Sequence, residues 1–254
     1  MTSPQLSRRR LLTAGGLGAG SLLLSGCDRL NGRPVFKGLL ADAGQLHMHT
    51  QRLITGNALA REFSEAEMSP IFRANGSTSV ADPGYRSHLA GGFVNWRLVV
   101  GGLVRQPLVL SLDALKALPQ RSQITRHDCV EGWSAIGKWQ GPQLSTILAA
   151  AGLLPEARYA VFHCADLLDG TPYYESIDLI DAFHPQTILA WRMNDAPLTE
   201  AHGAPLRLRV ERQLGYKQAK YVMRIELAAR LDGFYGGKGG YWEDGRGYQW
   251  YAGM

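Results

Sequence analysis

The stretch RHDCVEGWS, residues 126–134, places a cysteine, Cys129, at the end of a run that is typical of a β-strand. Residues 123–129 are predicted to form a strand that continues into a loop. The thiolate is the form of cysteine that attacks substrates or binds metals, and neighbouring cations lower the pKa of a thiol. Arg126 and His127 are close enough in sequence for that role. The stretch therefore predicts a reactive or metal-binding thiolate where a strand ends.

Short strands and short helices alternate on both sides of this loop, without a repeat and without a βαβ period. Strands are predicted for residues 93–100, 159–164, 188–193 and 205–212. Helices are predicted from Ser111 to Pro119, from Pro142 to Ala151 and from Ser176 to Phe183. Elements mixed in this order predict an α+β domain.

The strand predicted for residues 205–212 is unusually basic. Its alternation places apolar side chains on one face (Leu206, Leu208, Val210) and charged side chains on the other (Arg207, Arg209, Glu211). Taken alone, this pattern favours a solvated basic face. Considered together with the cysteine loop, it favours a buried site for an anion such as phosphate, which arginine binds through two hydrogen bonds and lysine as a point charge.

The N-terminus has the layout of an export signal. A basic segment ending in Arg8, Arg9 and Arg10 precedes an apolar run, residues 11–24, that is shorter than the about 20 residues needed to span a bilayer. The arginines resemble a twin-arginine motif, and the LSGC sequence that ends at Cys27 resembles a lipobox. We expect residues 1–27 to be a twin-arginine lipoprotein signal peptide, so that the protein is periplasmic and attached to the membrane by a lipid on Cys27.

The composition of the remaining chain predicts one globular domain. Removal of the signal leaves 24 basic and 22 acidic residues, a net charge of +2, and the whole chain is 45% hydrophobic. This balance argues against nucleic-acid binding and against disorder. We expect a tether and N-terminal arm at residues 28–69, a main domain at residues 70–231, and a C-terminal arm rich in glycine and aromatic residues at residues 232–254. That C-terminal arm is expected to be non-helical and either packed on the domain or used as a lid or docking surface.

The cysteine loop carries a family resemblance. HDCVEGWS, followed by GKWQG at residues 137–141 and then a helix, resembles the molybdenum-binding loop of the sulfite oxidase family. The similarity is to the bacterial periplasmic branch, which includes the catalytic subunit of the methionine sulfoxide reductase system, and it runs from about Pro70 to Glu226. The resemblance implies a sulfite oxidase-type molybdopterin-binding fold with mixed β-sheets and short helices, in which the Cys129 thiolate binds the molybdenum of Mo-molybdopterin. Soft sulfur ligands suit such a metal.

Further blocks extend the resemblance. HGAPLR at residues 202–207 and GYKQAK at residues 215–220 are similar to the GAPxRL and YGxKxxK elements of the family. The resemblance assigns Arg207 and Lys220 to the pterin phosphate. It implies further cofactor contacts at Asn75, Cys164, His202 and Gln218. It also implies an active-site phenol at Tyr173.

These features together predict an exported molybdopterin-dependent oxidoreductase. The family chemistry is a two-electron oxygen-atom transfer on a small S-oxide, N-oxide or sulfite-like substrate. Residues 132–134 depart from the arginine-rich sequence of sulfite-oxidising members. The sequence has no CxxCH haem motif, so we expect electrons to pass to or from a membrane-bound haem protein. We also expect the chain to be a monomer.

Two other interpretations remain open at this stage. The first is a non-enzymatic lipoprotein that binds zinc through His127, Cys129, His163 and Cys164, whose residue types are right for that metal. The second is a ligand-binding lipoprotein in which Cys129 and Cys164 form a disulfide, as expected in an oxidising compartment.

Overall fold

The computed structural model describes residues 33–254 of the chain. The predicted signal peptide and the lipid-attachment residue Cys27 therefore lie outside the described residues. By its internal contacts the chain divides into two units, Met1–Gly56 and Asn57–Met254.

The described part of the first unit is one long helix, α1 (Pro34–Thr55). The tether and N-terminal arm predicted for residues 28–69 contains this long helix, which the sequence pattern did not predict. The helix begins with proline in its first turn and ends at Gly56, whose φ of 50° suits glycine and whose amide donates to the Arg52 carbonyl. Among residues 33–254, no helix is both long and apolar enough to cross a membrane.

The second unit contains short helices and eleven strands. Its helices are α2 (Pro83–Ala90), α3 (Leu112–Ala117), α4 (Leu144–Ala151), α5 (Leu179–Ala182) and α6 (Tyr241–Arg246). Its first six strands are β1 (Arg97–Gly102), β2 (Leu108–Ser111), β3 (Gln120–Asp128), β4 (Ser134–Pro142), β5 (Tyr159–Leu168) and β6 (Thr171–Asp178). The others are β7 (Ile188–Ala190), β8 (Arg192–Met193), β9 (Ala196–Pro197), β10 (Arg207–Arg209) and β11 (Val222–Ala228).

The strands form three sheets. A five-stranded sheet has the order β2-β1-β11-β5-β6, in which β1 and β11 are parallel and the other neighbours are antiparallel. A four-stranded antiparallel sheet has the order β3-β4-β8-β9, and β7 pairs with β10 in a third, two-stranded sheet. The predicted α+β class is confirmed.

One core contains side chains from all three sheets. Trp96, Trp139, Phe162, Leu208 and Ile225 are fully buried in it. The four-stranded and two-stranded sheets approach each other closely at Gly141 of β4, where any side chain would collide with the Leu189 carbonyl of β7. At the other end of β3, next to the cysteine loop, His127 lies beside the basic strand β10, with its Nδ1 3.1 Å from Arg209 Nη1.

Most predicted elements are present with shifted ends. Ser111 begins α3 as expected, because its side chain accepts a hydrogen bond from the Ala114 amide at 3.0 Å. The helix predicted from Pro142 starts only at Leu144, since Pro142 still pairs in β4. The helix predicted from Ser176 is limited to α5, because residues 176–178 pair with β5. Pairing across the sheet outweighs local helix propensity here.

The C-terminal arm packs on the domain. Trp250 Nε1 donates to Ser176 Oγ at 2.8 Å, and Gly240 and Gly253 form β-bridges to Glu175 and Gln213. The expectation of a non-helical arm is wrong for α6, which occupies its middle.

Candidate active site

A cavity of about 390 Å³ collects the predicted site residues. All of the predicted domain positions except Cys164 line it: Asn75, Cys129, Tyr173, His202, Arg207, Gln218 and Lys220. They come from five separate parts of the chain, which only the tertiary fold brings together.

Cys129 lies in a tight loop directly after β3. Its amide donates to the Trp133 carbonyl at 2.9 Å, and Gly132, at a φ of 86°, donates back to the Cys129 carbonyl at 3.0 Å. The thiol is 8% exposed and accepts a hydrogen bond from Asn75 Nδ2 at 3.0 Å. The loop therefore presents one sulfur to the cavity in a fixed orientation.

Arg126 and His127 were predicted to lower the pKa of the Cys129 thiol. For the polypeptide without a bound metal, that prediction is wrong. Burial raises the pKa of this thiol, and the Asn75 hydrogen bond opposes that effect only in part. Arg126 is paired with Asp128, with Nε and Oδ2 2.9 Å apart. His127 is neutral, because burial and Arg209 hold its pKa well below the usual value. A bound metal ion would supply the positive charge that stabilises the thiolate.

Arg207 and Lys220 are two cavity-lining cations with a deficit of negative partners. Arg207 is 5% exposed, and its Nε has no hydrogen-bond partner within residues 33–254. Lys220 Nζ donates to the carbonyls of Asn75 at 2.7 Å and Ala201 at 3.0 Å, and also to that of Ser77. Burial together with the neighbouring positive charge lowers the pKa of Arg207 to about 9 and that of Lys220 to about 7.

The deficit of negative partners favours an anionic ligand in the cavity. A buried cation is stable when an anion compensates for its lost hydration. The described residues form no ion pair with Arg207, and Lys220 is held by neutral carbonyls. A phosphate in the cavity would supply the missing charge, so the site fits a molybdopterin with its phosphate on Arg207 and Lys220 and its metal at Cys129.

Arg209 has a different role from Arg207, although both lie on β10. It is fully buried, pairs with Glu211 through Nε at 2.9 Å, and lies over Trp139 at 4.3 Å. Its Nη1 also lies 3.1 Å from His127 Nδ1. Since a guanidinium can only donate, Nδ1 is the acceptor and the proton of this neutral histidine is on Nε2. Taken alone, the sequence of this strand favoured a solvated basic face. That prediction is wrong, because both faces of β10 are buried.

Tyr173 lines the cavity from β6. Its hydroxyl donates to the Tyr216 carbonyl at 2.7 Å, and its ring stacks on Tyr241 with centroids 5.6 Å apart. Burial raises the pKa of Tyr173 well above its usual value, so the phenol stays protonated. The hydroxyl can still accept a hydrogen bond from a molecule in the cavity.

Cys164 does not line the cavity and is a free thiol, as is Cys129. Burial raises the pKa of the Cys164 thiol well above the usual value, which disfavours the thiolate. The disulfide interpretation is therefore not supported. Nor is the zinc interpretation: His163 bonds Glu226 through Nε2 at 3.2 Å, and residues 33–254 contain no cluster of three or more histidine, cysteine or acidic side chains placed to hold a metal.

Several cavity residues were missed by sequence reasoning. Glu131 follows Cys129 in the loop, Asp166 lies on β5, and Tyr216, Trp242 and Tyr248 add three rings. The aromatic composition of residues 232–254 indicated a possible lid, but nothing in the sequence showed which rings reach the site.

The relatives of this chain agree with that chemistry. Residues 90–235 match the family model described as oxidoreductase molybdopterin binding domain. The chain is 38% identical over 245 residues, 96% of its length and 86% of the relative's, to a candidate protein-methionine-sulfoxide reductase subunit named YedZ1 from Azospira oryzae.

Other matches are shorter. The chain is 32% identical over 147 residues to the protein-methionine-sulfoxide reductase catalytic subunit MsrP of Campylobacter jejuni, which is 52% of this chain and 49% of that protein. It is 34% identical over 149 residues to MsrP of Xanthomonas axonopodis pv. citri, 54% of this chain and 46% of that protein. These matches span about half the length of each MsrP.

Among solved structures, the sulfane dehydrogenase SoxCD from Paracoccus pantotrophus matches with a TM-score of 0.49 and 24% identity, over 54% of this chain and 39% of that one.

The family match covers more than half of the chain, and a relative matches nearly all of it. The chain belongs to the oxidoreductase molybdopterin-binding domain family, with a sulfite oxidase-type fold, and it is a molybdopterin-dependent oxidoreductase.

Proposed function

We propose that this protein reduces S-oxides, with Cys129 as the protein ligand to molybdenum. The observation that carries the proposal is the cavity in which the Cys129 sulfur, held by Asn75, shares one space with the buried cations Arg207 and Lys220. The bound cofactor supplies two-electron oxygen-atom transfer. Overall, the S-oxide takes up two electrons and two protons and leaves as a thioether and water.

The chain's own residues would bind and orient the cofactor. Arg207 and Lys220 would hold the phosphate, while Asn75, His202 and Gln218 would contact the pterin from the cavity wall. Both ring nitrogens of His202 are already used, since its Nδ1 lies 2.9 Å from Thr199 Oγ1 and its Nε2 lies 3.1 Å from the Phe72 carbonyl. These bonds hold the imidazole in one position.

Three observations favour a neutral S-oxide over sulfite. The two buried cations would be used by the cofactor phosphate, and the loop after Cys129 places the carboxyl of Glu131 at the cavity, where it would repel an anion. Relatives covering half to nearly all of this chain are named protein-methionine-sulfoxide reductase subunits. Tyr173 would hydrogen-bond the sulfoxide oxygen as a donor, in place of its hydrogen bond to the Tyr216 carbonyl.

An activity assay tests the proposal. Molybdenum-loaded protein with reduced viologen as electron donor is expected to reduce a methionine sulfoxide peptide with a kcat/KM at least about tenfold above that for trimethylamine N-oxide. Sulfite with ferricyanide as acceptor is expected to react more slowly still. Rapid sulfite oxidation without S-oxide reduction would contradict the proposal.

We also propose that the loaded enzyme is exported by the twin-arginine pathway to the periplasm, anchored through a lipid on Cys27, and coupled as a monomer to a membrane-bound haem protein. The sequence motifs at residues 7–27 support export and anchoring. Export in the folded state explains how a cofactor loaded in the cytoplasm reaches the periplasm.

Replacement of Arg8 and Arg9 by lysine in one variant is expected to leave the protein in the cytoplasm, because the signal depends on the arginine pair. Cell fractionation followed by immunoblotting measures this, and Arg10→Lys is the matched control that should be exported normally. Cys27→Ala should move the protein from the membrane to the soluble periplasmic fraction. Export of the double variant at the normal level would rule out the pathway.

A further inference from the structure

The C-terminal arm contributes an aromatic surface to the cavity. Tyr216, Trp242 and Tyr248 all line it and form what we call the aromatic wall. Trp242 and Tyr248 stack with ring centroids 5.6 Å apart and planes at 21°, and Tyr216 meets Tyr248 edge-on at 5.1 Å. All three rings are half-buried, so each still has surface available to a ligand.

The aromatic wall is held from behind by buried charges. Lys217, the residue after Tyr216, contacts Glu243, the residue after Trp242, at 2.5 Å and Glu175 at 2.6 Å. All three charged side chains are at least 99% buried. Tyr216 also donates its hydroxyl to the Gln249 carbonyl at 2.6 Å. These contacts join the two chain segments that carry the rings, so the aromatic wall is a rigid part of the site.

The chemistry of the aromatic wall is mainly apolar. The Tyr216 hydroxyl donates to the Gln249 carbonyl, so Tyr216 contributes mainly its ring to the cavity surface. On the cysteine loop, Val130 is 46% exposed and adds a further apolar group to the cavity lining. Aromatic faces and edges attract polarisable sulfur and aliphatic groups without needing a charge.

We propose that the aromatic wall is a specificity site that binds the aliphatic, sulfur-bearing side chain of a methionine sulfoxide-type substrate. This inference rests on the proposed S-oxide reductase function. It assigns to residues 232–254 a direct part in substrate selection, beyond covering the domain. Because the contact is made by the ground-state substrate, its loss should act on KM more than on kcat.

The test compares three substrates in wild-type protein and in Trp242→Ala. For a methionine sulfoxide peptide, and for free N-acetyl-methionine sulfoxide, the variant is expected to show a KM raised by about threefold to tenfold, with kcat within about twofold. Dimethyl sulfoxide lacks the aliphatic chain, so its KM should change by less than about twofold. A KM that rises for both longer substrates supports the proposal, because they share the methionine sulfoxide side chain. A KM that rises for the peptide alone would contradict it, because the aromatic wall would then contact other parts of the polypeptide.

Two controls keep the test independent of folding. Trp242→Phe retains a ring and should stay near wild type, whereas Tyr235→Ala removes a ring of the same arm that lies outside the cavity and should leave all three KM values unchanged. Binding of a fluorescent thioether peptide, measured by anisotropy, should weaken in Trp242→Ala and in Tyr248→Ala at unchanged molybdenum content.

The outcomes separate this inference from the function on which it rests. A wild-type protein that reduces no S-oxide would overturn the proposed function and the inference together. Normal wild-type turnover, with unchanged KM values and peptide binding in Trp242→Ala and Tyr248→Ala, would overturn the inference alone. An equal rise in KM for dimethyl sulfoxide would also overturn it, because general damage to the cavity would then explain the effect.

Discussion

Cys129→Ser is expected to lower S-oxide turnover by more than about a hundredfold. Loss of a residue that only hydrogen-bonds to a metal ligand usually lowers activity by about tenfold to a hundredfold, so a larger loss indicates the ligand itself. A serine hydroxyl is a harder donor and is far less acidic than a thiol, so it cannot replace a thiolate on a soft metal centre. The fold should survive, since serine is smaller and can still accept the hydrogen bond from Asn75. Turnover with reduced viologen and molybdenum content by mass spectrometry are the measurements.

Cys164→Ser is the matched control for that result. Cys164 is the other free thiol of the described chain and lies outside the cavity, so its replacement should retain most of the activity. If Arg207 and Lys220 hold the cofactor phosphate, Cys129→Ser should keep much of its molybdopterin despite its low turnover. Activity in Cys129→Ser above about a tenth of wild type, or an equal loss in Cys164→Ser, would refute the ligand role.

Lys217→Met is expected to lower the free energy of unfolding by about 3–5 kcal/mol, as is usual when one partner of a buried ion pair is removed. Methionine fills a similar volume but leaves the carboxyls of Glu175 and Glu243 buried without their cation. Burial and the nearby Glu243 charge already raise the pKa of Glu175 well above its usual value, although Lys217 offsets part of that rise. Urea unfolding followed by tryptophan fluorescence measures the change.

The pH dependence of the Lys217→Met defect gives a second measurement. A carboxyl whose pKa is higher in the folded than in the unfolded state stabilises the fold below its unfolded pKa, and this stability is lost as the pH rises. Without Lys217, the carboxyl of Glu175 is expected to behave in this way. The difference from wild type should therefore be smaller near pH 5 than near pH 8.

A second substitution tests the same cause. Adding Glu243→Gln to Lys217→Met removes one of the two uncompensated carboxyls and should restore part of the lost stability. A Lys217→Met variant within about 1 kcal/mol of wild type, with no pH dependence, would show that the cluster contributes little.

Strand β10 shows where local pattern and tertiary structure diverge. The alternation of its residues was predicted from the sequence, yet that pattern alone favoured a solvated charged face. In the structure Arg209 is neutralised by Glu211 and covered by Trp139, whereas Arg207, two residues away, has no ionic partner in the described chain. Both arginines lie over the ring of Trp139 from β4, and Glu211 lies on the same predicted face as both, so the sequence alone does not show which arginine it pairs with.

The helix α1 and the C-terminal arm show two other kinds of difference. The proline and glycine that begin and end α1 were visible in the sequence, but the apolar residues between them did not suggest a helix. The arm was expected to lack helices because of its glycines, yet α6 forms where Glu243 is buried against Lys217. A buried charge contact there outweighs the low helix propensity of glycine.

The sequence by itself determined the fold class, the cofactor family and the cysteine expected to bind the metal, because these depend on short motifs such as residues 126–134 and 202–207. Only the tertiary structure decided which buried cations lack an ionic partner among the described residues, that Cys164 lies outside the cavity, and that the C-terminal arm supplies two of its rings. The physical reason is that a motif specifies residue types and local geometry. Burial, charge pairing and ring contacts, by contrast, depend on segments that are distant in sequence.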